Sequence, residues 1–471
     1  MEARIVEYNQ ISDSIVVRLK SIVGEKFVCT DLDKMEPYSH DAVTGKQYIK
    51  YPDVVVLPKT REEIAQIVRL ANQESIPIIP RGAGTGYACG AVAYNGGIMV
   101  SLERMDQIIE LDEVNMIMVV EAGVRTSEVQ KAANEKGYLY AGDPSSGDSS
   151  FIGGNVATNA GGLKAIKYGT TRHQVYGMEI VTAEGEIVTL GGKLKKDATG
   201  YSLMQMIIGS EGTLAIITKV YLKLIPKSKK TMNLLAIFPS LESAINIVAK
   251  VMQTGITPVC VEFMDNKGIR CCEEFLHEKM PHSDNGYYII IAIEGDNETV
   301  LEDQCIAIDD LCSENGVIEV LVADPAKIWK ARKCFGEANR ARSLIFSAED
   351  IVVPMSRIPE VMKMLSELSE KYGVTIHCVA HAADGNIHAD ILKEAISIET
   401  WDQKLPQMQE EIYQFVYSVG GKLSGEHGIG HKRLKLMEQF SNPIELKMMR
   451  GIKSALDPKG IMNPGNIFRV E

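Results

Sequence analysis

From Asp53 onward the chain alternates short apolar runs with amphipathic segments, and the period of each run predicts its element. Asp53-Val-Val-Val-Leu57 predicts a buried strand. Behind it Thr60-Arg-Glu-Glu63 has the form of a capping box, with Ile64, Ile67, Val68 and Ala71 at helical spacing. Ile76-Pro-Ile-Ile-Pro80 predicts a second strand and so a β-α-β unit. Further strands are expected at 97–102 and 115–121, then a helix at 127–136 that opens on Ser127 and Gln130 and stops at Gly137. Met178–Thr182 and Glu186–Leu190 pair as a hairpin turned by Glu184-Gly185, and Leu214–Leu224 is a long strand ending at Pro226.

The basic stretch Pro226–Thr231 marks a change of pattern and the expected domain boundary. From 231 to about 322 the periods read strand, helix, strand at 232–238, 241–253, 257–264, 287–294, 298–314 and 317–322. That order suits an α+β sandwich with an antiparallel sheet. Helices follow near 325–343, 357–372 and 406–419, and strand Val374–Ala380 delivers His381 at its end, where loops commonly carry chemistry.

At 471 residues the chain is long enough for about two or three domains. A formal charge of −12 argues against non-specific nucleic-acid binding, which relies on clustered Lys and Arg. No apolar run is long enough to span a bilayer and the N-terminus lacks a signal-peptide core, so the expected location is cytoplasmic. The nine cysteines include no C-x-x-C pair, which speaks against a disulfide framework or an iron–sulfur cluster held by this chain alone.

Two phrases concentrate the chemistry: His381-Ala-Ala-Asp-Gly-Asn-Ile-His388 and Ser424-Gly-Glu-His-Gly-Ile-Gly430. Together they offer two imidazoles, a carboxylate and a spare histidine, the parts of an open metal site with a base beside it. The competing reading is a set of separate core and surface histidines. Two glycine loops carry a second signal. Pro80-Arg-Gly-Ala-Gly-Thr-Gly86 follows a strand, and its backbone N–H groups suit an anion, although it matches neither Walker A nor the Rossmann spacing. Residues 151–163 carry no charge and combine small residues with Asn155, Thr158 and Asn159, as close packing on a polar flat group such as a dinucleotide requires. Tight turns packed on one another remain the alternative.

These phrases, in this order, resemble the FAD-linked oxidase family of D-lactate dehydrogenases and the flavin subunit of glycolate oxidase. The likeness runs from about residue 40 to the C-terminus and includes Gly209-Ser-Glu-Gly-Thr-Leu214 and Asp457-Pro-Lys-Gly-Ile-Met-Asn-Pro-Gly465. It implies an α+β fold: a two-lobed FAD-binding domain of the vanillyl-alcohol-oxidase type with an α+β cap domain built on an antiparallel sheet. The expected division is 1–228 for the FAD domain, 229–420 for the cap, and 421–471 for a C-terminal segment that folds back and completes the site.

The resemblance places non-covalent FAD on Arg81, Gly82, Ala83, Gly84, Thr85 and Gly86, on Pro144, Ser145 and Ser146, on Gly153, Gly154, Asn155, Thr158, Asn159, Gly161 and Gly162, and on Gly212 and Ile217. It implies that His381, His388 and Glu426 ligate a divalent metal, iron(II), zinc or manganese, with His427 as base and Arg332 on the substrate carboxylate. This chain departs from the family pattern at His173, commonly Asp, at Asp390, Asn in some relatives, and at Asn466, more often Lys.

The implied reaction is oxidation of a D-2-hydroxy acid, D-lactate to pyruvate first, with metal-assisted deprotonation, His427 taking the proton and hydride passing to FAD. Electrons then leave to a partner protein, an electron-transferring flavoprotein before an iron–sulfur subunit. The alternatives are glycolate or D-2-hydroxyglutarate as substrate, or a non-catalytic FAD-binding scaffold.

Overall fold

The computed structural model describes residues 7–322 and 325–469, so the outermost ends of the expected terminal segments, 1–6 and 470–471, lie outside the described residues. The chain divides into two compact units, one running to Gly161 and adding Thr170–Lys227 and Glu426 onward, the other made of Gly162–Gly169 and Ser228–Gly425.

The first unit holds β1 (Val28–Cys29), β2 (Val54–Val56), β3 (Ile78–Arg81), β4 (Ile98–Ser101), β5 (Ile108–Asp112), β6 (Ile117–Glu121), β7 (Tyr138–Leu139), β8 (Val175–Thr182), β9 (Ile187–Gly191), β10 (Ala215–Lys223) and β11 (Ile225–Pro226). One sheet runs β1-β2-β4-β3, with β2, β4 and β3 parallel. The expected β-α-β unit is present, but β4 slots between its two strands. Its helix Arg61–Glu74 starts where the capping pattern indicated: Thr60 Oγ1 accepts from Glu63 N at 3.2 Å, and Ile64, Ile67, Val68 and Ala71 are buried. The Glu63 carboxylate reaches one residue further back, to Lys59 N at 2.6 Å. The second sheet is antiparallel in the order β5-β6-β10-β8-β9, and β7 pairs with β11 alone.

The helix expected at 127–136 spans Thr126–Glu135. Ser127 lies inside its first turn, and the N-terminal bond comes from Glu128 accepting Arg125 N at 3.3 Å. The C-terminal segment extends the free edge of β3: Ile78 N donates to Ile461 O at 2.8 Å and Asn463 N to Ile78 O at 2.7 Å. The unit's core gathers Val54, Ile64, Ile98, Val120, Met178, Ile216 and Ile461 among its buried residues.

The second unit is one sheet of β12 (Lys230–Phe238), β13 (Cys260–Met264), β14 (Tyr287–Gly295), β15 (Glu319–Val322), β16 (Phe346–Val352), β17 (Thr375–His381) and β18 (Asn386–Leu392). Its order is β15-β12-β14-β13-β17-β18-β16, and every neighbouring pair is antiparallel. Helices Leu241–Gln253 and Glu298–Glu314 match the periodicity to the residue. Among the elements that went unread are helix Asn266–Leu276, β16 and β18. The last helix of this unit, expected from 406, begins at Ile398 under an N-cap bond from Thr400 N to Ser397 Oγ at 3.2 Å and continues through Pro406.

On one face of this sheet Leu235, Ile237, Met264, Tyr288, Ile290 and Val379 pack with Ile269 and Cys272 of helix Asn266–Leu276 and Ala331, Phe335 and Ala338 of helix Pro325–Arg342. All nine cysteines are free, and all but Cys29 are buried. Among the described residues no helix is long and apolar enough to cross a membrane.

Candidate active site

In the first unit a cleft of about 1220 Å³, counting its open mouth, is lined by 80–88, Pro144–Ser146, the helix Ile152–Thr158 with Gly161, and Glu211, Gly212 and Ile217. Glu426 and His427 also line it. The wall is mostly backbone. Gly84 sits at φ +71°, which an L side chain rarely adopts. A Cβ at Gly154 would meet nothing within 4 Å, so the backbone there faces open space.

Arg81 supplies its backbone to the lining, but its guanidinium is spent on three carbonyls: Ala91, Pro37 and His40, each at 2.8 Å. The glycine loops therefore offer backbone N–H groups and the neutral hydroxyls of Thr85, Ser145, Ser146 and Thr158. A long, flat group with a phosphate bridge fits such a wall, since amide dipoles and hydroxyls bind phosphate without a buried cation.

Two expected FAD residues lie off this lining. Asn159 ends the helix Ile152–Thr158 in a left-handed turn, and its Oδ1 accepts from Thr170 Oγ1 and Arg172 N, both at 3.0 Å. Gly162 belongs to the second unit.

At the floor of the cleft the loop of Glu426 and His427 is fixed by a carboxylate from the glycine-rich phrase 209–212. Glu211 accepts from Ile429 N at 2.8 Å and Gly430 N at 2.6 Å. Burial raises the Glu211 pKa, and the two N–H bonds counteract it. Gly161 lets the Glu426 carboxylate approach: a Cβ there would stand 2.2 Å from Glu426 Oε2 and push that side chain aside. His427 lies 5.1 Å, ring centre to ring centre, from Tyr87.

In the second unit, His381 and His388 are not on one loop. They sit on β17 and β18, joined by a hairpin, with His381 opposite Asn386 and His388 opposite Val379. Residues facing each other across a ladder share a face, so the two imidazoles are diagonal neighbours. Their centres are 5.3 Å apart and their planes nearly perpendicular. The same face carries Glu262, opposite His381 on β13, and Asp350, opposite His388 on β16. Glu262 Oε1 accepts from His381 Nδ1 at 2.6 Å, and Glu262 Oε2 from Arg332 Nε at 2.8 Å.

Burial alone would lift the Glu262 pKa, but its contacts with His381 and Arg332 hold it below the ordinary range. An ionised carboxylate only accepts, so His381 carries its proton on Nδ1 and turns Nε2 outward as a ligand. Asp350, also buried, lies 3.7 Å from His388 Nδ1 and accepts from Asn386 Nδ2 at 2.8 Å and from Ser424 Oγ. Two imidazoles side by side, each backed by a carboxylate, fit a divalent cation.

Asp390 points elsewhere. It accepts from Asn339 Nδ2 at 2.7 Å, and Asn339 Oδ1 lies 2.7 Å from His377 Nδ1. Glu262 and Asp350 were not among the expected site residues. Glu262 stands alone in the otherwise apolar strand Cys260–Met264, and that lone carboxylate was the available signal. Asp350 shares its strand with Ser347 and Glu349 and gave none.

The fold is the vanillyl-alcohol-oxidase-type FAD-binding architecture: p-cresol methylhydroxylase with substrate bound superposes with a TM-score of 0.83 at 18% identity, covering 99% of each chain. Residues 52–191 match the FAD binding domain and residues 226–467 the FAD linked oxidases, C-terminal domain. The chain belongs to the FAD-linked oxidase family. It is 34% identical to D-lactate dehydrogenase of Anaerostipes hadrus over 98% of both chains. It is also 34% identical to glycolate oxidase subunit GlcD of Bacillus subtilis over 92% of both.

Proposed function

We propose that this protein oxidises a D-2-hydroxy acid, D-lactate to pyruvate, and passes the electrons to an electron-transferring flavoprotein. The observation that carries this reading is the Arg332–Glu262–His381 chain on one sheet face, beside His388: a carboxylate-binding cation next to a histidine preset as a ligand. The names of the D-lactate and glycolate relatives support the substrate class.

The backbone of 82–86, Ser145, Ser146, Gly153, Gly154 and Thr158 would hold FAD, which would supply a two-electron acceptor. His381, His388 and Glu426 would hold a divalent metal, which would supply Lewis acidity to the substrate hydroxyl.

Arg332 binds the substrate carboxylate. Its Nε is committed to Glu262, so its terminal nitrogens are the ones left for a second carboxylate, and the planar fork fixes the orientation of the acid. A single such arginine suits a monocarboxylate. His427 accepts the hydroxyl proton on its ring as the α C–H bond is broken; imidazole is the side chain best matched to that task near neutral pH. Tyr87 backs the His427 ring and limits its rotation.

Anaerobic mixing with D-lactate, L-lactate, glycolate and D-2-hydroxyglutarate, read by flavin absorbance, tests this. Bleaching by D-lactate ahead of the others is expected, and bleaching by none with metal supplied would sink the reading. His427→Asn is expected to keep FAD and to slow flavin reduction by about 10²–10⁴-fold. The flavoprotein partner is tested by co-purification and by acceptor-dependent turnover in the absence of air.

A further inference from the structure

We propose that Glu262 is a positioning residue that locks the ligand histidine and the substrate-binding arginine to each other, an inference that rests on the function proposed above. Glu262 is 1% exposed, and each of its carboxylate oxygens is committed to one functional side chain. His381 sits at the end of β17 and Arg332 in the middle of a helix some fifty positions earlier in the chain, so no local structure relates them. The strand residue between them does. Glu262 lies directly opposite His381 in the β13–β17 ladder, which sets its height, and Arg332 reaches it from the covering helix.

The chemistry demands a carboxylate of this length. A glutamine in the same place has one acceptor oxygen, so it satisfies the His381 Nδ1–H or the Arg332 Nε–H and turns an N–H toward the other. An aspartate is one methylene short and cannot span both. Removing the charge also leaves the nearly buried Arg332 without its counter-ion. The consequence is a coupling: whatever disturbs the carboxylate site through Arg332 disturbs the metal ligand through the same two oxygens.

The sheet provides its own control. Glu349 on β16 is also fully buried, but its register puts it on the opposite face from Asp350 and hence from His388. It accepts hydrogen bonds from Tyr413, Ser347 and Gln409, which lie outside the site. Glu262→Gln and Glu349→Gln each replace one buried carboxylate of the same sheet, so both lower its stability, and Glu262 is the one bonded to His381 and Arg332.

The experiment uses the FAD-loaded protein. The Zn²⁺ dissociation constant is measured against a competing chelator, and the KM for D-lactate is measured at saturating Zn²⁺. For Glu262→Gln, Zn²⁺ affinity is expected to fall about 10–100-fold, as when the partner of a ligating histidine is lost, and KM to rise more than about tenfold. Glu349→Gln is expected to stay within about twofold of wild type on both while losing melting temperature. Glu262→Gln within twofold of wild type on both, or Glu349→Gln shifting both equally, overturns the inference. His381→Asn that still holds Zn²⁺ at wild-type affinity would instead defeat the metal assignment, and the KM of Glu262→Gln then decides whether Glu262 positions Arg332.

Discussion

The two units build their sites from opposite materials. The glycine cleft of the first unit is a wall of backbone, made from residues that follow one another in the chain: 80–88, 144–146, 152–161. The polar sheet face of the second unit is made of side chains from four different strands and a covering helix, far apart in sequence: Glu262, Asp350, His381 and His388, with Arg332. A backbone wall tolerates almost no added atom, whereas a side-chain network tolerates substitution only when each donor keeps its acceptor.

The largest effect that sharpens this contrast is expected at Gly84. A Cβ there would approach Arg81 Nη2 to 2.1 Å, at a φ of +71° that valine avoids. The guanidinium cannot yield, because three carbonyls hold it. Gly84→Val should therefore purify with less than about a tenth of the wild-type flavin per chain, since the loop must refold away from the cleft. Normal yellow protein from this variant would refute the backbone-wall account. The fold of the second unit should be untouched, as checked by proteolysis.

The next effect in size lies in the second unit. Arg332→Lys keeps the charge and loses the fork. Lysine has one nitrogen to divide between Glu262 and a substrate carboxylate. KM for the hydroxy acid should rise about 10–100-fold with full FAD content, as expected for a lost charge-assisted bidentate contact. An unchanged KM would remove Arg332 from the substrate site.

The same contrast governs what could be read beforehand. Contiguous phrases were legible: the loop at 80–86, the uncharged stretch at 151–163 and the glycine–glutamate phrase at 209–212 all line the cleft. Helices with strong 3.6-residue period, such as Leu241–Gln253, were legible to the residue. Glu262 was not, because its importance comes from a strand register with His381 more than a hundred residues later, which periodicity does not encode. β18 was hidden for a related reason. Asn386-Ile-His-Ala-Asp390 alternates polar and apolar residues as a strand should, but its polar side faces a buried site and so looked like loop chemistry. Asn159 is a polar residue of a motif whose side chain turns to the backbone of Arg172 at the end of a helix, a local role that the motif does not reveal.

The smallest effect concerns the response of the second unit to acid. His377 is buried on the same face as His381, and burial pushes its pKa down to about 4. An unfolded chain binds that proton near pH 6.5. Between the two values the unfolded state holds a proton that the folded state refuses, so this residue's contribution to stability falls as pH drops from about 6.5 to about 4. Asp265, also in the second unit, runs the other way: burial lifts it to about 7, so its contribution falls as pH rises over nearly the same window. The wild-type curve mixes the two, and the difference between wild type and His377→Gln isolates the histidine. Glutamine keeps a donor for Asn339 Oδ1 and does not titrate. Urea denaturation of both proteins should show the wild type losing about 2 kcal/mol relative to the variant between pH 7 and pH 4. A difference that stays flat across that range would mean that His377 takes up its proton in the fold at the same pH as in the unfolded chain. The buried polar network of the second unit would then be charged where the geometry makes it neutral.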